Sequence, residues 1–299
     1  MSKVLSIASG KGGVGKTLLT ASLGIVMAYK GYRVLLIDGD MGLRNMDLIL
    51  GLENECFYNI LDLAEGRCFM NDVKLSVSKN LDFIPAAQAE TWDEIFPAAI
   101  SVILDDAGDD YDFILLDCPA GVGSGIQFAA DVSDKFMIVV APSWASRRTA
   151  DQAAQIIKPK VDFSYVMNQF SFSNQNQASF QEMLETIDSE YFGGVIPFSV
   201  EAARLAGHGN LKDLKPNGPF GKAVDYVYRS VIEGKEFPLS VWSKLIRGCD
   251  NEADEILNKS AGLVPVINKP GLSWNSGSQF YKWRDRKSTR LNSSHTPQS

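Results

Sequence analysis

Short apolar runs recur along the chain at residues 4–8, 34–38, 81–85, 113–117, 136–141, 163–167 and 194–197. They are rich in Val, Ile, Leu and Phe and do not alternate with polar residues, which is how strands covered on both faces read. Between them lie segments of helical length at 17–29, 91–104, 147–157, 179–189 and 221–233. This alternation predicts βαβ units. The expected fold is α/β: a doubly wound, mostly parallel sheet of about seven to eight strands flanked by helices.

The patterning thins beyond about residue 234, and 262–277 is rich in Gly, Pro, Ser and Asn. We therefore expect a main domain over 1–237 and an extension over 238–284 with a short helix at 239–248. Residues 285–299 read as a sequencing adapter translated in frame; the alternative is a natural polar tail. No N-terminal signal peptide is expected, because residues 1–8 lack a charged segment followed by an apolar one.

The densest chemistry follows the first apolar run. Gly10-Lys11-Gly12-Gly13-Val14-Gly15-Lys16-Thr17 fits G-x-x-x-x-G-K-[ST], between an expected strand and an expected helix. Glycines let the backbone close around a phosphate, whose charge then meets backbone N–H groups and a helix N-terminus. Lys16 is expected on the β- and γ-phosphates of ATP and the Thr17 hydroxyl on Mg²⁺.

Two further runs end in carboxylates. Residues 34–38 lead into Asp38-Gly-Asp40, and Asp40 is expected to orient the attacking water or hold the water shell of Mg²⁺. Asp38 is expected to support that shell. Asp47 reads as a helix N-cap. Residues 113–117 place four apolar residues before Asp117, expected to hold Mg²⁺ through water. Gly121 follows, where a bare backbone can approach the γ-phosphate. Cys118 reads as a buried small residue and not a nucleophile. Arg147 and Arg148 read as solvated; the alternative is part of a partner surface.

Lys11 is not required by an ordinary phosphate loop. With it, K-G-G-V-G-K-T resembles the deviant Walker A family of MinD/ParA-type ATPases, within the SIMIBI-type P-loop NTPases. D-x-D-x-G-L-R-N-x-D at 38–47 and D-x-P-A-G at 117–121 are similar to the same family, and most to its MinD branch. The resemblance covers about residues 1–237. It implies an ATP-dependent homodimer in which Lys11 reaches the partner's nucleotide, with Asp40 as the hydrolytic residue and Asn45 near the γ-phosphate. Asn168 would meet the base edge and Pro197 the other wall of the base pocket. The branch further implies septum positioning, through a division inhibitor of the MinC type and an ATPase activator. Related ATPases instead position plasmids, chromosomes or flagella, and an ATP-binding module with little hydrolysis is a further alternative.

The same branch usually ends in a membrane-binding amphipathic helix. At about 100° per residue, Leu239, Val241, Trp242, Leu245 and Ile246 fall within an arc of about 160°. Lys244 and Arg247 lie opposite. Leu239, Trp242, Leu245 and Ile246 are therefore candidates for contact with an anionic membrane surface; the alternative is packing on the chain's own domain. The acidic residues that follow depart from the family pattern.

Net charge is −7, with 29 basic and 36 acidic residues, so a nucleic-acid partner is not expected. The four cysteines (Cys56, Cys68, Cys118, Cys249) form no CxxC pair and only two histidines occur, which argues against a zinc or iron–sulfur centre. Scattered thiols suit a reducing cytoplasm. No apolar stretch approaches the ~18 residues of a membrane span.

Overall fold

In chain order, the computed structural model has β1 (Lys3–Ser9), α1 (Lys16–Tyr29), β2 (Val34–Asp38), α2 (Met46–Leu50), α3 (Ile60–Ala64), α4 (Met70–Val73), β3 (Leu75–Ser78) and β4 (Leu81–Ile84). Next come α5 (Trp92–Ala107), β5 (Phe113–Ala120), α6 (Ser124–Val132), β6 (Lys135–Val140), α7 (Trp144–Ile157), β7 (Phe163–Phe170) and α8 (Phe180–Glu185). The series closes with β8 (Phe192–Pro197), α9 (Val200–Gly207), α10 (Pro219–Val231) and α11 (Leu239–Ala261). The structure describes residues 2–41, 44–88, 92–108 and 110–261.

Among these residues the strands form one eight-stranded sheet, in the order β3-β4-β2-β5-β1-β6-β7-β8. All neighbours run parallel except β3 against β4. The edge strand β3 was not visible as an apolar run because its residues alternate between half-buried and exposed. The central strands are buried on both faces, which is why their sequences do not alternate.

From β1 the chain travels through α1 to one side of the sheet; from β5 it travels through α6 to the other. Parallel crossovers keep one hand, so α1 and α6 lie on opposite faces. The ends of β1 and β5 therefore flank a switch point, where α/β sheets bind ligands.

Two boundaries differ from expectation. The last helix continues to Ala261 instead of stopping at 248. The compact first unit runs from Met1 to Leu257, so most of α11 belongs with the sheet. The second unit, Asn258–Ser299, is described only through Ala261, and the expected features at 262–284 and 285–299 lie outside the described residues.

Candidate functional site

The phosphate loop joins β1 to α1 at the switch point. Gly13 and Gly15 have φ of 78° and 80°, a region that disfavours a Cβ. A Cβ built at Gly12, Gly13 or Gly121 meets no atom within 4 Å. The chain itself does not crowd these positions, and the room beside them suits a triphosphate approaching the N-terminus of α1.

Beneath the loop, three donors converge on Asp117. Lys16 Nζ donates to Oδ1 at 2.7 Å and Thr17 Oγ1 to Oδ2 at 2.7 Å. Thr20, fully buried, has its Oγ1 3.1 Å from the same Oδ1 and 3.0 Å from the Lys16 carbonyl. Thr20 was not singled out in the sequence. Its position one helical turn beyond Lys16, on the face that meets β5, was the available signal. Burial alone would lower the Lys16 pKa, but the Asp117 carboxylate beside it turns the net direction upward. The hydroxyl–carboxylate pair of Thr17 and Asp117 has the oxygen chemistry that suits Mg²⁺, and Lys16 suits phosphate.

Asp38 and Asp117 stand in register across β2 and β5. Burial and then the neighbouring Asp117 charge push the Asp38 carboxyl up to about 7. Its oxygens accept the backbone N–H groups of Asp40 at 2.9 Å and Met46 at 3.3 Å, so Asp38 ties down both ends of the following loop. Asp40 is half-buried, and its pKa is raised by burial against the pull of Lys16. Lys11 is exposed at the loop's entrance. The buried Cys118 thiol is pushed up to about 12, as an inert packing residue requires.

Several expected placements change. Asp47 does not cap a helix. Asn45 occupies the N-cap of α2 without a side-chain bond, and Asp47 lies within the helix, buried against Arg44 at 2.6 Å. Arg147 is not solvated: its guanidinium reaches Thr186 Oγ1 at 3.1 Å, pairs with Asp151 and covers the Tyr165 ring. Arg148 is exposed as expected.

Asn168, expected to meet a base edge, donates from Nδ2 to the phosphate loop, 2.8 Å from Val14 O and 3.3 Å from Gly15 O. Gln169, not foreseen, adds a bond from Nε2 to Gly13 O at 3.3 Å. Pro197 is buried at the end of β8, paired in register with Phe170.

The membrane-facing expectation fails for Trp242 and Ile246, which are 1% and 0% exposed. Trp242 packs edge-on against Phe192, Tyr226 and Phe237 and covers Gly194. Leu245 is partly buried and Leu239 exposed. The apolar arc of α11 lies on the chain's own sheet because burying it there removes more apolar surface from water than leaving it exposed. Among the described residues no helix is long and apolar enough to cross a membrane.

A family model described as an AAA domain matches residues 2–159. The septum site-determining protein MinD of Bacillus subtilis (strain 168) is 30% identical over 258 residues, covering 83% of this chain and 95% of that protein. Among solved structures, the MinC:MinD cell division protein complex of Aquifex aeolicus matches with a TM-score of 0.68 and 33% identity, over 79% of this chain and 98% of that one. MinD complexed with Mg-ADP from Pyrococcus horikoshii OT3 shares the fold at a TM-score of 0.67, with 23% identity over 77% of this chain and 96% of that one.

Proposed function

Because this chain belongs to the MinD/ParA family of P-loop ATPases, we propose that it is a MinD-type, Mg²⁺-dependent ATP switch that helps place the division septum. The observation that carries this reading is the convergence of Lys16, Thr17 and Thr20 on Asp117 below an open glycine loop.

ATP would bind with its phosphates along the N–H groups of residues 12–17. Lys16 would turn from Asp117 to the β- and γ-phosphates. Thr17 and Asp117 would hold Mg²⁺, directly and through water, and the ion when bound neutralises charge on the phosphates. Asp40 orients a water in line with the γ-phosphorus. The water oxygen would bond to the γ-phosphorus as the bond from that phosphorus to the β–γ bridging oxygen breaks; ADP would leave with the bonding pair, and a proton of the water would pass to a phosphate oxygen. Lys11, exposed at the rim, crosses to the nucleotide of a second copy and offsets the charge there. The ATP-bound dimer would then recruit an inhibitor of the MinC type and meet an activator of hydrolysis. Attachment to the inner face of the membrane would have to use surfaces other than Trp242 and Ile246.

Light scattering with ATP and Mg²⁺ tests the switch. A dimer with ATP, a monomer with ADP, and a monomer in both states for Lys11→Ala are expected. Wild type that stays monomeric with ATP, or Lys11→Ala that still dimerises, overturns it.

A further inference from the structure

Strand β7 loses its regular pairing before it ends. Its register with β8 shifts between Met167 and Phe170, and Gln169 between them has a left-handed backbone, with φ of 61°. A strand end that departs from its ladder gives up bonds that would fix it, and needs other anchors. This end bears on the nucleotide site, because Asn168 and Gln169 reach the carbonyls of the phosphate loop. Two anchors follow at once. The Phe198 N–H donates to the Phe170 carbonyl at 2.8 Å, and the next two residues, Ser171 and Phe172, are held by α11.

The holder is Asp250. Its Oδ1 accepts the Ser171 hydroxyl at 2.6 Å and its Oδ2 the Phe172 backbone N–H at 2.9 Å. Bonds to a carboxylate are stronger than those between neutral groups. Aspartate is a poor helix former, so its place within α11 follows from these partners. Three residues earlier, the Arg247 guanidinium lies over the Phe172 ring, 5.8 Å from its centroid. At the far end of the same contact Trp242 sits on Gly194 of β8, and its buried indole N–H has no hydrogen-bond partner among the described residues. Apolar packing therefore holds that end of α11 against one unpaired donor, and Asp250 supplies the polar anchor.

We propose that Asp250 is a positioning residue for the nucleotide site: it fixes the backbone that leaves β7 and couples the docking of α11 to the binding of ATP. The assignment rests on the ATPase reading. With phosphate in the loop after β1, the carboxylates Asp38, Asp40 and Asp117 occupy the side of β2 and β5. The rest of the nucleotide then extends to the side of β6 and β7, along the segment that Asp250 holds. Asp250 acts through Ser171 and Phe172. Coupling between two sites is reciprocal, so ATP in turn tightens the seat of α11.

The test measures Mg·ATP affinity by calorimetry on the full chain and on three variants. Asp250→Ala removes both bonds, Ser171→Ala removes one, and Asp250→Asn can still accept the Phe172 N–H and donate to Ser171. The expected result is that Asp250→Ala weakens Mg·ATP by about five- to tenfold and Ser171→Ala by less, while Asp250→Asn stays within about twofold of wild type. Hydrogen exchange supplies the reciprocal reading: saturating Mg·ATP should slow exchange of the α11 amides in wild type, and do so less in Asp250→Ala. A lowered melting temperature in Asp250→Ala with unchanged ATP affinity would make the contact a structural tie only and overturn the assignment. Equal losses in Asp250→Asn and Asp250→Ala also overturn it, because the hydrogen bonds would then not be the cause. If Asp250→Ala does not fold, exchange in wild type and the affinity of Ser171→Ala decide, and no effect of ATP on α11 overturns the coupling. Wild type that does not bind Mg·ATP would overturn the ATPase reading together with this one, a result distinct from any confined to the variants.

Discussion

Lys16 Nζ and Asp117 Oδ1 are joined at 2.7 Å, although 101 positions separate them in the chain. Both groups are buried, and in the proposed ATP-bound state both take other partners: the ammonium on phosphate, the carboxylate at Mg²⁺. The bond therefore stores the site in a satisfied state, and loading exchanges one set of partners for another. Removing one member leaves a buried charge beside a second carboxylate, Asp38. Lys16→Ala should lower the stability of nucleotide-free protein by about 3–5 kcal/mol, measured by urea titration, in addition to abolishing ATP binding. An unchanged unfolding midpoint would show that the pair adds nothing to the stability of nucleotide-free protein.

Asp40 sits beside the phosphate loop but makes no bond to it among those described. Asp40→Ala should retain ATP affinity within a factor of about three and lose at least about 99% of phosphate release, since water orientation goes while phosphate contacts stay. Turnover at the wild-type rate would remove Asp40 from the hydrolytic step.

Folding raises the Asp38 carboxyl to about 7 by burial and the Asp117 charge. Between about 4, the value in an unfolded chain, and 7, the folded protein holds a proton that the unfolded chain lacks. Stability from this group is present at low pH, falls as pH rises through that window, and levels off above it. Asp38→Asn, which can still accept a backbone N–H, should flatten that part of the melting profile and raise the melting temperature near pH 8. A profile with the same slope in the variant would assign the slope to other groups.

Trp242 is fully buried against aromatic neighbours, and Gly194, with φ of 129°, would bring a Cβ to 2.4 Å from its Cη2. Trp242→Ala should cost about 3–5 kcal/mol. For a chain of this size that is roughly 2–4 °C of melting temperature per kcal/mol. Gly194→Ala should destabilise in the same direction. If Trp242→Glu melts like wild type yet loses sedimentation with anionic liposomes, the helix faces lipid after all.

The nucleotide site was legible because its signals are local. Glycine spacing, Lys16, Thr17 and an apolar run ending in Asp117 each state their own chemistry within a few residues, and strands buried on both faces announce themselves by failing to alternate. The edge strand β3 escaped because a half-exposed strand of four residues carries little pattern. The bonds of Asn168, Gln169 and Thr20 were not legible, because their partners lie 97 to 156 positions away.

Amphipathicity behaves in the same way. The arc of α11 was correctly drawn from sequence alone, since side-chain angle around a helix is a local property. Its occupant was not, because water, lipid and the chain's own sheet select the same face. Only the tertiary structure brings Gly194, on the edge strand of the sheet, under Trp242, and the missing Cβ there makes the seat. The same holds for Arg147: its charge suggested solvent, and the structure gives it Thr186, Asp151 and the Tyr165 ring. Sequence determines which groups must find partners; the fold decides which partners they find, because distance in space is set by the packing of the whole chain.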